Sequence, residues 1–259
     1  MLKHTMLLAA AVGMALALAG AANAGIVVPA TGVTGHDGGN WPTTLGHLTD
    51  MLNGLTPGSM GTADHNPGMD TTPDPTDPST WLYAGNSWPQ EWKANSRLDP
   101  LTSSNAKIGW ASIDLGSSVA GLENMYLWNV RYQNNTENVA TYNVYYATSP
   151  TAALSAMPNS KATTGDYNFA SGGWTLLNAG GALSLPINLS NNNTPQAVVA
   201  LGGISARYIG LEILTAGNGT GAGRVGLAQV EITQVPEPAS LALLGLGGLG
   251  LLARRKRRQ

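Results

Sequence analysis

The 259-residue chain contains no cysteine, a single phenylalanine and four histidines, and charged residues make up 11% of it. Without cysteine no disulfide can support the fold, so stability must come from packing, with or without a bound metal ion. No segment between the two ends sustains a helical stripe of apolar residues. The chain does hold 33 Gly, seven Trp and eight Tyr. These features favour short strands joined by turns.

The sequence contains few motifs that indicate catalysis. His36, His47 and His65 all precede the strand-rich region, and the sequence has no His-Glu-x-x-His zinc motif. A carboxylate pair for glycoside hydrolysis need not be close in sequence. A glycan-active enzyme therefore stays open as an alternative, while the sequence predicts a protein that is not an enzyme.

The first 24 residues have the three parts of a secretory signal peptide. Lys3 is a charged start, residues 6–19 are apolar, and Ala22-Asn23-Ala24 is a small-x-small cleavage site. We expect cleavage between Ala24 and Gly25, so residues 1–24 are an export signal that is removed.

The last 25 residues, 235–259, combine a triplet, an apolar run and a basic end. The triplet is Pro236, Glu237 and Pro238. The apolar run, residues 239–253, is shorter than the ~20 residues of a comfortable helical span, and the five Arg and Lys residues after it would stay on the cytoplasmic side. The prolines end any arriving strand and leave Glu237 extended and accessible. A single short transmembrane helix behind a processing site is predicted.

This tail resembles the sorting signal of the PEP-CTERM proteins in its triplet, its short span and its basic cluster. The resemblance implies recognition by an exosortase, a membrane transpeptidase or protease of Gram-negative bacteria, and cleavage near the triplet. It also implies transient membrane contact through residues 239–253 and delivery to the cell surface or extracellular matrix. The alternative is a plain C-terminal anchor that is never cut.

Residues 25–235 carry a formal charge of −7, from seven Lys or Arg and fourteen Asp or Glu. Nucleic acid is an unsuitable partner for such an acidic surface. Every Trp and Tyr lies in this part of the chain, which gives enough bulk for one sizeable core. We expect an N-terminal extension at 25–44 and one domain at 45–233, with a long, solvated acidic loop insertion near 56–80.

Period-two patterns begin after residue 105, whereas residues 25–105 are irregular by pattern. Tyr142, Val144 and Tyr146 alternate with polar or smaller residues, and a second aromatic alternation starts at Tyr126 and Trp128. The predicted strands cover residues 108–115, 126–133, 141–148, 174–177, 197–201, 206–214 and 225–233. In the strand at 206–214, Ile209, Leu211 and Ile213 face one way, and Tyr208, Gly210 and Glu212 face the other. Many short strands with turn residues between them argue for an all-β antiparallel sandwich.

The landmarks along these strands follow a characteristic order. They are the Asp-containing loop 48–54, then 110–116, 125–129, 142–146, 173–175, 206–211 and 225–232. This succession resembles the discoidin, or coagulation factor 5/8 type C, module, a galactose-binding-like jelly roll similar in fold to family 32 carbohydrate-binding modules. The resemblance spans residues 45–233 and implies a jelly-roll β-sandwich that binds ligands through variable loops at one end.

The resemblance also implies a structural calcium ion, held between the early Asp loop and a Glu on the last strand. Asp50 and Asn53 stand near the first place, but Gln229 occupies the expected Glu position, and a neutral amide is a poorer calcium ligand. Glu231 is expected to reach the site only if a bulge changes its parity. The alternative for Asp50 is a turn or helix-cap carboxylate.

Because the family's ligand contacts vary, no binding residue transfers by motif. Tyr83, Trp88 and Trp92 form the predicted sugar platform, since an exposed aromatic ring stacks on the apolar face of a sugar. The opposing interpretation is that such rings are buried against the sandwich. The predicted function is that of an exosortase-sorted surface or matrix protein that binds extracellular polysaccharide. A passive matrix component and a glycan-active enzyme are the alternatives.

Overall fold

The computed structural model describes residues 26–35, 51–52, 92–94, 109–130, 138–154, 167–187, 195–217 and 225–235. Strands dominate these residues, and their only helical features are short 3-10 turns. The strands are β1 (Ile26–Val27), β2 (Gly32–Gly35), β3 (Trp92–Ala94), β4 (Gly109–Asn129), β5 (Val139–Ala147), β6 (Thr175–Leu176), β7 (Leu183–Ser184), β8 (Ala197–Ala216) and β9 (Val225–Gln234). All the pairings between these strands are antiparallel. The predicted all-β antiparallel fold is confirmed.

Two long strands, β4 and β8, run antiparallel to each other and connect the two layers of the sandwich. Their register shifts between Asp114 and Asn124. Four glycines with positive φ occupy this bend: Gly116, Gly121, Gly202 and Gly203. Glycine adopts positive φ without steric cost, and bends of this kind let a strand pass from one sheet to the other.

Each half of β4 and β8 has different neighbours. In the first layer, residues 111–114 of β4 pair with β2, and residues 208–216 of β8 pair with β5, which β6 and β7 extend. In the second layer, the last part of β4 pairs with β9, which β1 and β3 extend. The bend therefore separates a layer that contains β5 from a layer that contains β9.

One hydrophobic core joins both layers. Ile209, Leu211 and Ile213 enter it from the first layer and are fully buried, as predicted from their alternation. Val230 and Ile232 enter it from the second layer. Full burial of each such side chain contributes about 1.5–3 kcal/mol, so the core is a major support of this disulfide-free fold.

Two expectations from the sequence were wrong. The stretch 25–105 is not irregular throughout, since β1, β2 and β3 lie within it; these strands have two to four residues, too few for a period-two pattern. Residues 26–35, assigned to an extension, pair with β9 and β4 and so belong to the sandwich.

Both faces of the strand around Tyr126 are buried. Tyr126 and Trp128 lie in a small cluster beside the main core, and Leu127, from the opposite face of β4, lies in the main core.

Several predicted segments lie outside the described residues: the signal peptide with Ala22, Ala24 and Gly25, the loop near 56–80, the triplet Pro236, Glu237 and Pro238, and the predicted span 239–253. Within the described ranges, no helix is long and apolar enough to cross a membrane.

Candidate functional site

The outward face of the first layer carries aromatic and polar side chains. Successive residues of a strand point to opposite faces, so the residues that alternate with the buried Ile and Leu positions point away from the core. The cross-strand register places them in three rows: Trp110, Glu212 and Asn143; Ser112, Gly210 and Tyr145; Asp114, Tyr208 and Ala147.

A short segment, residues 167–174, covers much of this face. Tyr167 stacks on Trp110 with ring centroids 4.7 Å apart. A 3-10 turn follows, capped by Asn168, whose Oδ1 accepts the N–H of Ala170 at 3.0 Å. The cap satisfies a backbone donor of the turn and so fixes the path of the chain over the sheet.

Phe169 anchors this segment. It is fully buried, and it stacks on Tyr145 with a centroid distance of 4.7 Å and an interplanar angle of 10°. Gly210 lies directly beneath it: a Cβ there would stand 3.0 Å from Phe169 Cδ1 and 3.1 Å from Cζ. The missing side chain at position 210 therefore makes the space in which the ring lies.

The aromatic row ends at the surface in Trp174 and Tyr208, which are both half-buried. Their ring centroids are 6.4 Å apart in an edge-to-face arrangement. Trp174 Nε1 donates to the hydroxyl oxygen of Tyr167 at 2.7 Å, and the guanidinium carbon of Arg207 lies 4.9 Å from the centre of the Tyr208 ring. We refer to Trp174, Tyr208 and Arg207 as the aromatic patch.

A bidentate ion pair holds the Arg207 side chain in place. Its Nε donates to Asp114 Oδ1 at 2.9 Å and its Nη2 donates to Oδ2 at 3.0 Å. The backbone N–H of Gly116 also donates to Oδ1, at 2.8 Å. The hydrogen bond from Arg207 is the main cause that lowers the pKa of Asp114, against desolvation. The pair uses two of the five guanidinium N–H groups, which leaves three for other acceptors.

A polar network lies beside the covered face. The buried Glu212 accepts hydrogen bonds at Oε2 from Asn143 Nδ2 at 2.8 Å and from the Tyr145 hydroxyl at 3.0 Å. Asn178 Nδ2 in turn donates to Asn143 Oδ1 at 2.9 Å. Burial and the neighbouring Glu212 raise the pKa of Tyr145 to about 12, so its hydroxyl stays a hydrogen-bond donor at neutral pH. The network orients Tyr145 beneath Phe169.

The patch combines apolar ring surface with hydrogen-bond donors. The half-buried Trp174 and Tyr208 rings offer apolar surface of the kind that can stack on the C–H face of a pyranose. The guanidinium of Arg207, fixed by Asp114, offers several N–H donors beside the rings for hydroxyl oxygens. Its charge is balanced by Asp114, so the arrangement suits an uncharged ligand.

The predicted place of Trp92 in a sugar platform is wrong. It lies in β3 opposite Leu227 of β9, is 0% exposed and belongs to the main core. An indole without exposed surface has no face for a ligand, so the alternative interpretation of burial applies to it. Tyr83 and Trp88 lie outside the described residues, and their part in a platform stays a prediction.

Of the three predicted calcium ligands, only Glu231 lies among the described residues. Glu231 is buried, its Oε1 accepts Gln229 Nε2 at 2.6 Å, and burial raises its pKa to about 7. The parity argument was wrong: Gln229 and Glu231 are two residues apart and share one face of β9. Asp50 and Asn53 lie outside the described residues. Among those described, no three His, Cys, Asp or Glu side chains form a group that could hold a metal ion, so they do not make up a calcium site by themselves.

The sequence pattern places Trp174 and Tyr208 only in predicted strands, with no indication that they form a site. The signal for Tyr208 was its place in the alternation, which turns it away from the core while Ile209 enters it. The approach of Trp174 to Tyr208 depends on the long-range pairing of β8 with β4 and β5 and on the path of residues 167–174, which no local pattern gives.

Comparison with known proteins identifies the C-terminal tail. Residues 234–258 match the PEP-CTERM protein-sorting motif, which indicates export and exosortase-mediated processing of the C-terminus. A search among curated proteins gives no match.

The solved structures similar to this chain include several family 32 carbohydrate-binding modules. That of C. perfringens NanJ, in complex with galactose, has 12% identity and a TM-score of 0.39, covering 81% of this chain and 99% of the other. That of Streptococcus pneumoniae EndoD has 17% identity and a TM-score of 0.38, with coverages of 81% and 99%. The AlyQ module, in complex with 4,5-unsaturated mannuronic acid, has 15% identity, a TM-score of 0.36 and coverages of 80% and 97%.

Proposed function

We propose that this protein is a non-catalytic, surface-sorted glycan-binding protein of a Gram-negative bacterium. An exosortase removes the tail near Pro236, Glu237 and Pro238, and the sandwich then binds extracellular polysaccharide at the cell surface or in the matrix. The observation that carries the binding role is the aromatic patch, where half-exposed rings stand beside a guanidinium fixed by Asp114. The sorting role is supported by the motif at residues 234–258.

The sorting role is tested by replacing Pro236, Glu237 and Pro238 with Ala in the full chain. We expect a full-length precursor that stays in the membrane fraction, because the processing enzyme no longer finds its site. Replacing Ser118, an exposed residue of the β4 bend, with Ala is the matched control and should leave processing unchanged. A mature product of normal size from the triplet variant would contradict the proposal.

The binding role is tested by sedimenting the protein with the producer's own purified polysaccharide. Trp174→Ala should weaken binding by about two- to tenfold, since an aromatic contact contributes about 0.5–1.5 kcal/mol. Leu176→Ala is the matched control, because it removes an apolar side chain that is 38% exposed and lies two residues further along the chain. Equal binding by both variants, each with an unchanged far-UV circular dichroism spectrum, would show that the patch is not part of the binding site.

The two alternatives make different predictions in the same assay. A passive matrix component would sediment without saturation, in proportion to the polymer added. A glycan-active enzyme would release new reducing ends. Saturation without new reducing ends is the outcome that we expect.

A further inference from the structure

The two processed ends of the chain leave the sandwich at one place. β1 pairs antiparallel with the end of β9, with Ile26 opposite Gln234 and Val27 opposite Thr233. The N–H of Val28 donates to the carbonyl of Ile232 at 2.8 Å and continues the pairing. Ile26 comes directly after the predicted mature N-terminus. The first strand of the mature protein is therefore paired with the last residues before the sorting triplet.

The residue that joins β9 to the triplet is held as well. The N–H of Val235 donates to the carbonyl of Gly121 at 2.9 Å, at the bend of β4. Pro236 follows directly in the sequence and has no N–H with which to continue a ladder. No linker residue stands between the last hydrogen-bonded position and the triplet.

This arrangement restricts access to the processing site. An enzyme that binds a peptide in an extended conformation uses the peptide's backbone N–H and C=O groups, which a strand in a sheet has already paired. Residues 233–235 are available to such an enzyme only after local opening. Terminal strands open at the lowest free-energy cost in a fold, and β1 has only two residues.

We propose that β1 is a clasp on the processing segment: exosortase gains access to the backbone edge of residues 232–234 that β1 covers only when β1 separates from β9, whose other edge stays paired with β4. The clasp consists of residues 26–28 and 232–234. It rests on the sorting function proposed above, and it adds that pairing of the mature N-terminus with β9 controls the rate at which the C-terminal tail is removed.

A disulfide across the clasp provides the test. The native chain has no cysteine, so Val27→Cys and Thr233→Cys would supply its only two thiols. Because Val28 and Ile232 form a hydrogen-bonded pair, Val27 and Thr233 form the adjacent non-hydrogen-bonded pair, in which side chains are closest. The separation of such a pair suits a disulfide. The full chain is expressed in the producing bacterium, and conversion of precursor to processed product is followed by pulse–chase with and without a reductant.

We expect the oxidised double variant to be processed about tenfold or more slowly than the same variant after reduction, because the disulfide blocks local opening. The two single-cysteine variants should be processed alike under both conditions. Equal rates for the oxidised and reduced double variant would overturn the clasp alone. Absence of processing in the native chain would overturn the sorting function and, with it, the clasp.

An insertion distinguishes slow processing caused by the clasp from slow processing caused by a damaged substrate. About six Gly and Ser residues between Val235 and Pro236 span roughly 20 Å when extended, enough to present the triplet away from the sheet. In the oxidised double variant this insertion should restore processing to the rate of the reduced form. Continued slow processing would mean that the disulfide acts in another way and would overturn the proposal.

Discussion

Gly210→Ala is the substitution whose effect follows most directly from the packing on the first layer. The new Cβ would lie closest to Phe169 Cε1, nearer than real Cβ contacts allow without movement, and would stand 3.0 Å from Cδ1 and 3.1 Å from Cζ. Phe169 has no room to withdraw, since it is fully buried between Tyr145 and Trp174, with ring centroids at 4.7 and 5.0 Å. Overpacking of this kind costs about 1–3 kcal/mol.

The assay is thermal unfolding of the mature protein. For a domain of this size each kcal/mol shifts Tm by about 2–4 °C, so we expect a decrease of roughly 2–12 °C. Gly180→Ala is the matched control: a Cβ there meets nothing within 4 Å, so Tm should stay close to that of the native protein. A Gly210→Ala variant that melts with the control would refute the packing of Phe169 on Gly210 and the path of residues 167–174.

Three further predictions concern other parts of the molecule. Asp114 has a lowered pKa in the folded state, so the stability that its carboxylate gives is present above its unfolded pKa and is lost as the pH falls below about 4. The Tm difference between the native protein and Asp114→Asn should therefore shrink from pH 6 to pH 2.5. A constant difference would contradict the ion pair. Trp92→Ala should lower the free energy of unfolding, measured with a denaturant, by about 3–5 kcal/mol, as for other large core side chains. A loss below about 1 kcal/mol would contradict the burial of Trp92 in the core. Calcium added to the chelator-treated protein should leave Tm unchanged, and a rise of several degrees would show that Asp50, Asn53 and Glu231 hold an ion.

Sequence reasoning predicted the parts of the fold that a local pattern determines. The alternation of Ile209, Leu211 and Ile213 with Tyr208 and Gly210 indicated which side of β8 enters the core, and the burial agrees. The same reasoning missed that predicted strands merge across the bend, because Gly202 and Gly203 read as turn residues. In the structure their positive φ bends a strand that continues on both sides.

The candidate site was less accessible from the sequence. The prediction that Trp92 belongs to a sugar platform was wrong, because the three residues of β3 pair it with β9 and bury it, and so short a strand has no period-two pattern. The aromatic patch joins residues from β8 and from the segment before β6. Their proximity is a property of strand pairing over long sequence distances and has no local signal.

The central claim is that this sorted sandwich binds a glycan through Trp174, Tyr208 and Arg207. The most direct measurement is a calorimetric titration of the mature protein with the producer's extracellular polysaccharide, repeated with Trp174→Ala. We expect saturable heat for the native protein and binding about two- to tenfold weaker for the variant. A folded native protein that gives no saturable heat would contradict it and leave a structural role in the matrix.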